Sequence, residues 1–336
     1  MQALPGPRGP ITDELFERWQ VPPGAGRPPV FVPESAAPLF DEDLQLALYC
    51  CYELHYGGLP GVDERWEWDP GLLHGRARLE ALFERALLAE LGEPSDSAEP
   101  EEMDLALRAI AEAEEGPSLS RHVEREADLE QVIEFLVHRS AYQLKEADPH
   151  SWALPRLSGP PKAALVEIQA DEYGGGRPER IHATMFARSM EALGLDSEPG
   201  AYLDAIPAIT LATVNLMSML GLHRRWRGAI VGHLALFEMT SSIPNRRYAT
   251  GLRRLGLGEQ ATAFFDEHVE ADAVHENIAA VDLAGGLVRQ NPGLGPTILW
   301  GARALAALDA RWARQVLDDW ELGRSSLRAP LTQPAL

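Results

Sequence analysis

The stretch "FFDEHVEADAVHENIAA", residues 264–280, sets His268, Asp272 and His275 four and then three residues apart in a run free of Gly and Pro. At 100° per residue the three side chains fall at about 0°, 40° and −20° around a helix axis, a single stripe roughly 60° wide. Two imidazoles and a carboxylate on one face make either a metal clamp or the solvated side of a helix. A clamp inside a helical bundle draws further donors from facing helices, so the rest of the chain decides between the two.

The surrounding sequence reads as helix almost throughout. Apolar residues recur at three- and four-residue steps over roughly 103–114, 124–147, 161–173, 178–194, 199–221, 224–241, 247–256, 258–281, 283–290 and 294–321. Two further helices are expected in "DEDLQLALYCCYELHYGG" and "PGLLHGRARLEALFERALLAELG". No sustained polar–apolar alternation signals a strand, and "ITLATV" fits a buried helix. The fold class is therefore all-α, without an internal repeat. Residues 1–37, rich in Pro and Gly, read as an extended arm. Residues 38–120 form an N-terminal helical extension of accessory helices, and 121–325 a larger bundle, with a seam near 118–124.

Composition narrows the function. The 336 residues carry a net charge of −21, which argues against nucleic acid or an anionic membrane as partner, since both require basic surface. No apolar run is long enough to cross a bilayer, and the first residues lack the apolar core of a signal peptide. The only cysteines are the neighbours Cys50 and Cys51. Adjacent cysteines rarely bridge each other, so a reduced cytoplasmic protein with two small buried thiols is expected.

Three other segments offer donors. In "VEIQADEYGGGRPERIHATMF" (166–186), Glu179 stands three residues before His182, and Glu172 seven before Glu179. The intervening "YGGGRP" is unsuited to a regular helix and should kink it. "AYQLKEADPH" adds Glu146 just before a helix end near Pro149. The candidate set is then Glu146, Glu172, Glu179, His182, His268, Asp272 and His275. An oxygen-rich set softened by imidazole suits iron or manganese, and four carboxylates balance two divalent ions. Without metal, packing those carboxylates together costs several kcal/mol. The remaining histidines (55, 74, 122, 138, 150, 223, 233) have no such company and read as satisfied or exposed. One Glu-x-x-His step means little among 51 acidic residues; the His-x3-Asp-x2-His stripe says more, because the chain has only 10 histidines.

In type, order and spacing, Glu146, then Glu172 and His182, then His268, Asp272 and His275 resemble the ligand set of the heme-oxygenase-like diiron oxidases and oxygenases. "DEYGGGRPERIHATMF" looks like the glycine-broken second ligand helix of that family, and "FEMTSSIPNRRYATGLRRLG" like the segment preceding its third. The resemblance covers roughly 125–320. It implies a heme-oxygenase-like helical bundle over 121–325, two Fe(II)/Fe(III) ions, O2 as cosubstrate and an external electron donor or reductase. It assigns Glu146, His182 and Glu179 to one iron, His268, Asp272 and His275 to the other, and Glu172 to a bridge. Some members use an N-terminal helical addition to form a homodimer, which is the role expected of 38–120.

Within that family, an extra carboxylate three residues before the second-helix His, here Glu179, marks the members that oxygenate nitrogen. The resemblance thus implies N-oxygenation of a small-molecule amine, an amino acid or amino-heterocycle, toward an N-hydroxy or nitro product in specialised metabolism. Oxidative C–C cleavage or desaturation at the same site is the alternative, as is a metal-binding helical protein without turnover. A thiaminase-type hydrolase would need a cysteine in the core of the larger bundle, where none stands. Arg246, Arg247 and Tyr248 offer donors for a substrate carboxylate or an ordinary helix start. The "GGG" at 174–176 follows no strand and is no dinucleotide motif.

Overall fold

A computed structural model describes residues 4–25, 34–113 and 118–331; the side chains of Asp272 and Ala273 lie outside that description. Among the described residues there is no strand, and the chain is a stack of α-helices joined by short 3-10 turns. The N-terminal helices are α1 (Pro10–Trp19), α2 (Glu42–Glu53), α3 (Pro70–Leu91) and α4 (Met103–Glu112). Next come α5 (Leu119–Arg125), α6 (Leu129–Gln143), α7 (Asp148–Ser151), α8 (Gly159–Glu172) and α9 (His182–Glu191). The C-terminal part holds α10 (Ala208–Leu222), α11 (Arg227–Arg254), α12 (Glu259–Asn277), α13 (Gly286–Gln290) and α14 (Gly295–Glu321). A π-helix, Ile278–Gly285, continues directly from α12.

Most helix starts are legible in local chemistry. Asp41, Asp69 and Asp128 each accept backbone N–H bonds at an N-terminus, and Asp128 with Gln131 forms a reciprocal capping box. That box explains why the helix expected over 124–147 is two, since Asp128 ends one segment and starts the next. The opposite happens at Pro244, where separate helices were expected and α11 runs through. Proline removes one helical N–H bond. The hydroxyls of Thr240 and Ser241 accommodate the turn by donating back to the carbonyls of Leu236 and Phe237 at 2.7 and 2.6 Å, and packing against α12 and α14 holds the helix together.

The N-terminal arm needs correction. Its residues 10–19 form α1, which buries Leu15, Phe16 and Trp19 against α2; residues 26–33 of the expected arm lie outside the described residues. Nor does the seam near 120 divide the packing, because one hydrophobic core runs from Leu15 to Leu327. α4 lies against the π-helix, α11 and α14. At the centre, α11 and α14 approach almost backbone to backbone. A Cβ on Gly232 would collide with the carbonyl of Ile298, and one on Gly301 with that of Ala229. Only hydrogen fits there, so this pair of helices sets the position of everything α11 carries.

Candidate metal centre

Glu146 follows α6 in a tight turn. Ala147, next in the chain, has φ 75°, the one positive φ outside glycine among the described residues. This left-handed conformation costs an alanine about 1–2 kcal/mol. Gln169 Nε2 donates to the Ala147 carbonyl at 2.8 Å and so braces the turn. The reversal leaves Glu146 buried and aimed inward.

The segment between Glu172 and His182 is broken more thoroughly than a kink. α8 stops at Glu172, Gly174, Gly175 and Gly176 all adopt positive φ (73°, 58°, 80°), and α9 begins at His182. A side chain on Gly174 would meet the backbone of Arg180 and Ile181 at 2.7 Å. The loop folds back on itself at that point, and Arg180 pairs with Glu267 on α12. His182 thereby faces Glu172, with Nδ1 2.8 Å from Glu172 Oε2.

α12 supplies the remaining imidazoles. His268 Nδ1 lies 2.8 Å from the Phe264 carbonyl one turn earlier. Donation there fixes the tautomer and leaves Nε2 with its lone pair facing Glu146 Oε2 at 3.6 Å. His275 is oriented the other way round. Its Nε2 meets Asp171 Oδ2 at 3.1 Å, and Nδ1 faces Glu238 Oε2 at 3.3 Å and Glu172 Oε1 at 3.8 Å.

The donors form two groups. Glu146, Glu172, His182 and His268 bring ligand atoms within 4.8 Å of one another, as do Glu172, Glu238 and His275. Every member is buried, and Glu172 belongs to both groups. Burial favours the neutral form of Glu172, but His182, His268 and His275 outweigh it and hold the carboxyl below its ordinary value. Glu238 is pushed upward by burial, against His275 and with the neighbouring Glu172 charge. Burial opposes protonation of His275, yet Glu238, Asp171 and Glu172 lift it to about 9.

The residues fit a pair of cations on a direct observation. Glu146 Oε2, His182 Nδ1, Glu238 Oε2 and His275 Nδ1 are all buried, and none makes a hydrogen bond of acceptable geometry despite close neighbours. Unpartnered buried polar atoms converging from four segments are costly unless an ion that all of them can bind sits among them. Two dications sharing Glu172 would satisfy them.

Of the seven expected donors, five are brought together: Glu146, Glu172, His182, His268 and His275. The Asp272 side chain lies outside the described residues. Glu179 is exposed on the 3-10 turn Pro178–Arg180 and belongs to neither group; the spacing from His182 assumed a helix that the glycines had already ended. His268 stands with Glu146 and His182 rather than with His275. The missed member is Glu238 on α11. Its signal was available, since "GHLALFEMT" (232–240) places a lone acid in an apolar run, and a buried charge demands a partner.

A cavity of about 800 Å³ opens beside the first group, with Glu146 and His268 on its wall alongside Phe186, Phe237 and Phe264. Of the expected substrate contacts, Arg247 and Tyr248 line it, with Arg247 Nη1 3.2 Å from Ser120 Oγ. Arg246 is exposed and lies off the wall. Cys50 and Cys51 are free and buried, as expected, within the N-terminal half of the core.

Comparison with known proteins agrees with this centre. Residues 133–310, more than half of the chain, match the family described as iron-containing redox enzymes. The chain belongs to that family, and its all-α architecture is the heme-oxygenase-like fold. It is 29% identical over 192 residues to a nitrosourea synthase of Streptomyces achromogenes subsp. streptozoticus, a match that takes in 56% of this chain and 40% of the relative. The chain thus spans well under half the length of that relative. Among the described residues no helix is long and apolar enough to cross a membrane.

Proposed function

We propose that the protein is a non-heme diiron, O2-dependent oxygenase that places oxygen on the nitrogen of a small-molecule amine. The observation that carries the reading is the pair of buried donor groups joined through Glu172. Glu146, His182 and His268 would hold one iron, Glu238 and His275 the other, with Glu172 shared. When bound, the irons supply electrons that reduce O2, and an external donor restores them.

The chain's own groups set the conditions. Donation from His268 Nδ1 to Phe264 leaves its Nε2 free to face the metal, and the contact of His275 Nε2 with Asp171 orients that ring so that Nδ1, once its proton is displaced, faces Glu238 and Glu172. Phe186, Phe237 and Phe264 stand beside Glu146 and His268 on the cavity wall, an apolar patch that would favour the neutral form of an amine held against it, whose lone pair is then free to react. N-oxygenation is supported by the relative's name, because a nitrosourea carries oxygen on nitrogen. Glu238 adds an interior carboxylate to the site, on a different helix from Glu179, the position that the resemblance links to N-oxygenation.

The test is anaerobic loading with Fe(II), followed by 18O2 and a panel of cellular amines with mass detection. Two irons per chain and label on nitrogen are expected. Label on carbon, or a shortened carbon skeleton, would replace this reading with oxidative C–C cleavage, and no oxygen consumption with any amine would remove turnover altogether.

A further inference from the structure

The inner face of α6 carries a row of groups leading to the metal centre. Phe135, Arg139 and Gln143 follow at four-residue steps, Glu146 comes three residues later, and all four line the cavity. The Arg139 guanidinium carbon lies over Trp312, 4.2 Å from the ring centroid, and 5.9 Å from that of Phe135. Among the described residues no carboxylate comes within ion-pair distance of it. Its polar neighbours are the Tyr248 hydroxyl and, farther off, Asp309. Burial pushes the Asp309 carboxyl above its usual range, and Arg139 draws it only part of the way back. One turn nearer the metals, Gln143 Oε1 is buried without a hydrogen-bond partner.

A stacked cation without an ion-pair partner and an unpartnered acceptor, both on the wall of one cavity, describe a recognition strip. We propose that Arg139 anchors a carboxylate of the substrate and that Gln143 accepts a hydrogen bond from an N–H or O–H beside it. Arg139 stands one turn, about 6 Å of helical rise, before Gln143 at the end of α6, and the turn that carries Glu146 follows. The substrate is therefore an amine whose carboxylate is held at least that far from the reacting nitrogen. This rests on the amine-oxygenase reading only for the identity of the reacting atom. Arg139 is a specificity residue and leaves the metals untouched. Its planar fork suits a carboxylate, and the Trp312 face holds it in place without neutralising it.

The test measures binding to zinc-loaded protein, which cannot turn over. Calorimetry compares 6-aminohexanoate with hexylamine, lysine with cadaverine, and arginine with agmatine. In at least one pair the carboxylated member should bind about 10- to 100-fold more tightly, the range of a charge-assisted contact. Arg139→Met keeps the stem over Trp312 and should erase that preference while leaving the decarboxylated partner and the zinc content unchanged. Arg139→Lys should retain a reduced preference, and it serves alone if the methionine variant does not fold. The anchor is overturned if no carboxylated probe outbinds its partner, or if either variant keeps the full preference. If the preference holds but 18O2 never labels nitrogen, the reaction class falls and the anchor stands.

Discussion

Glu238→Gln should leave the metal-free stability of the protein nearly unchanged and remove much of the stability that metal confers. In the metal-free chain Glu238 is 4% exposed, stands beside the Glu172 carboxylate, and is held above its ordinary value by burial. Replacing it with a neutral amide relieves the crowding with Glu172 but withdraws the carboxylate that chiefly lifts His275, two opposed effects of about 1–3 kcal/mol each, so the metal-free stability should change little. With metal a net loss appears. At a free concentration about 100-fold above the dissociation constant, one bound ion stabilises the fold by about 2.7 kcal/mol. The second group has three described donors, Glu172, Glu238 and His275, and loss of the anionic member should empty it. The variant should therefore bind one iron per chain instead of two, and its metal-induced rise in Tm should shrink by a few degrees. Iron stoichiometry by colorimetry and thermal unfolding with and without Fe(II) read both effects. Glu179→Gln is the matched control and should retain two irons. If Glu238→Gln keeps two irons while Glu179→Gln loses one, the grouping of donors derived from the geometry is wrong.

Other outcomes follow from the same geometry. Glu172→Ala should lower both ions together, because that carboxylate belongs to both groups; equilibrium dialysis with Fe(II) or Mn(II) checks this. Gly174→Ala forces a side chain at φ 73° into the backbone of Arg180 and Ile181. It should cost about 2–4 kcal/mol and weaken metal binding through His182, measured by denaturant unfolding and metal titration. His138, buried with Thr210 Oγ1 at 2.8 Å and Ser326 Oγ at 3.0 Å, is held by burial at about 3, below its ordinary 6.5. The unfolded chain takes a proton there that the folded chain refuses. Stability is thus full above pH 6.5 and falls by about 1.4 kcal/mol per pH unit as pH drops toward 3, a slope His138→Gln should flatten in urea titrations. Burial pushes the Cys51 thiol up to about 12 and Cys50 well above its ordinary value, so neither should react with a disulfide reagent at pH 8 until the protein is unfolded.

Spacing along single helices was legible from the residues alone, and spacing across breaks was not. His268 and His275 share α12, and seven residues of regular helix were enough to put both imidazoles on its inner side. Their division between two groups was hidden, because it depends on which neighbour each meets: Glu146 after the Ala147 reversal, or Glu238 on α11. Glu179 misled for the converse reason, since a step of three means one face only while the helix lasts, and Gly174 had ended it. Glu238 escaped because it stands alone in its run, with no second donor on α11 to make a motif. Pro244 shows the same limit from the other side, as local propensity forecast a break that packing overrode.

The wall of the cavity is built from more chain than the family match spans. Arg108, Ala111 and Glu112 of α4 border it, and Arg108 reaches across to Glu276 on α12 at 2.6 Å, next door to His275. The candidate metal ligands all fall between 133 and 310, whereas this rim belongs to an upstream helix. Substitutions in α4 therefore reshape the mouth of the cavity without touching any candidate metal ligand.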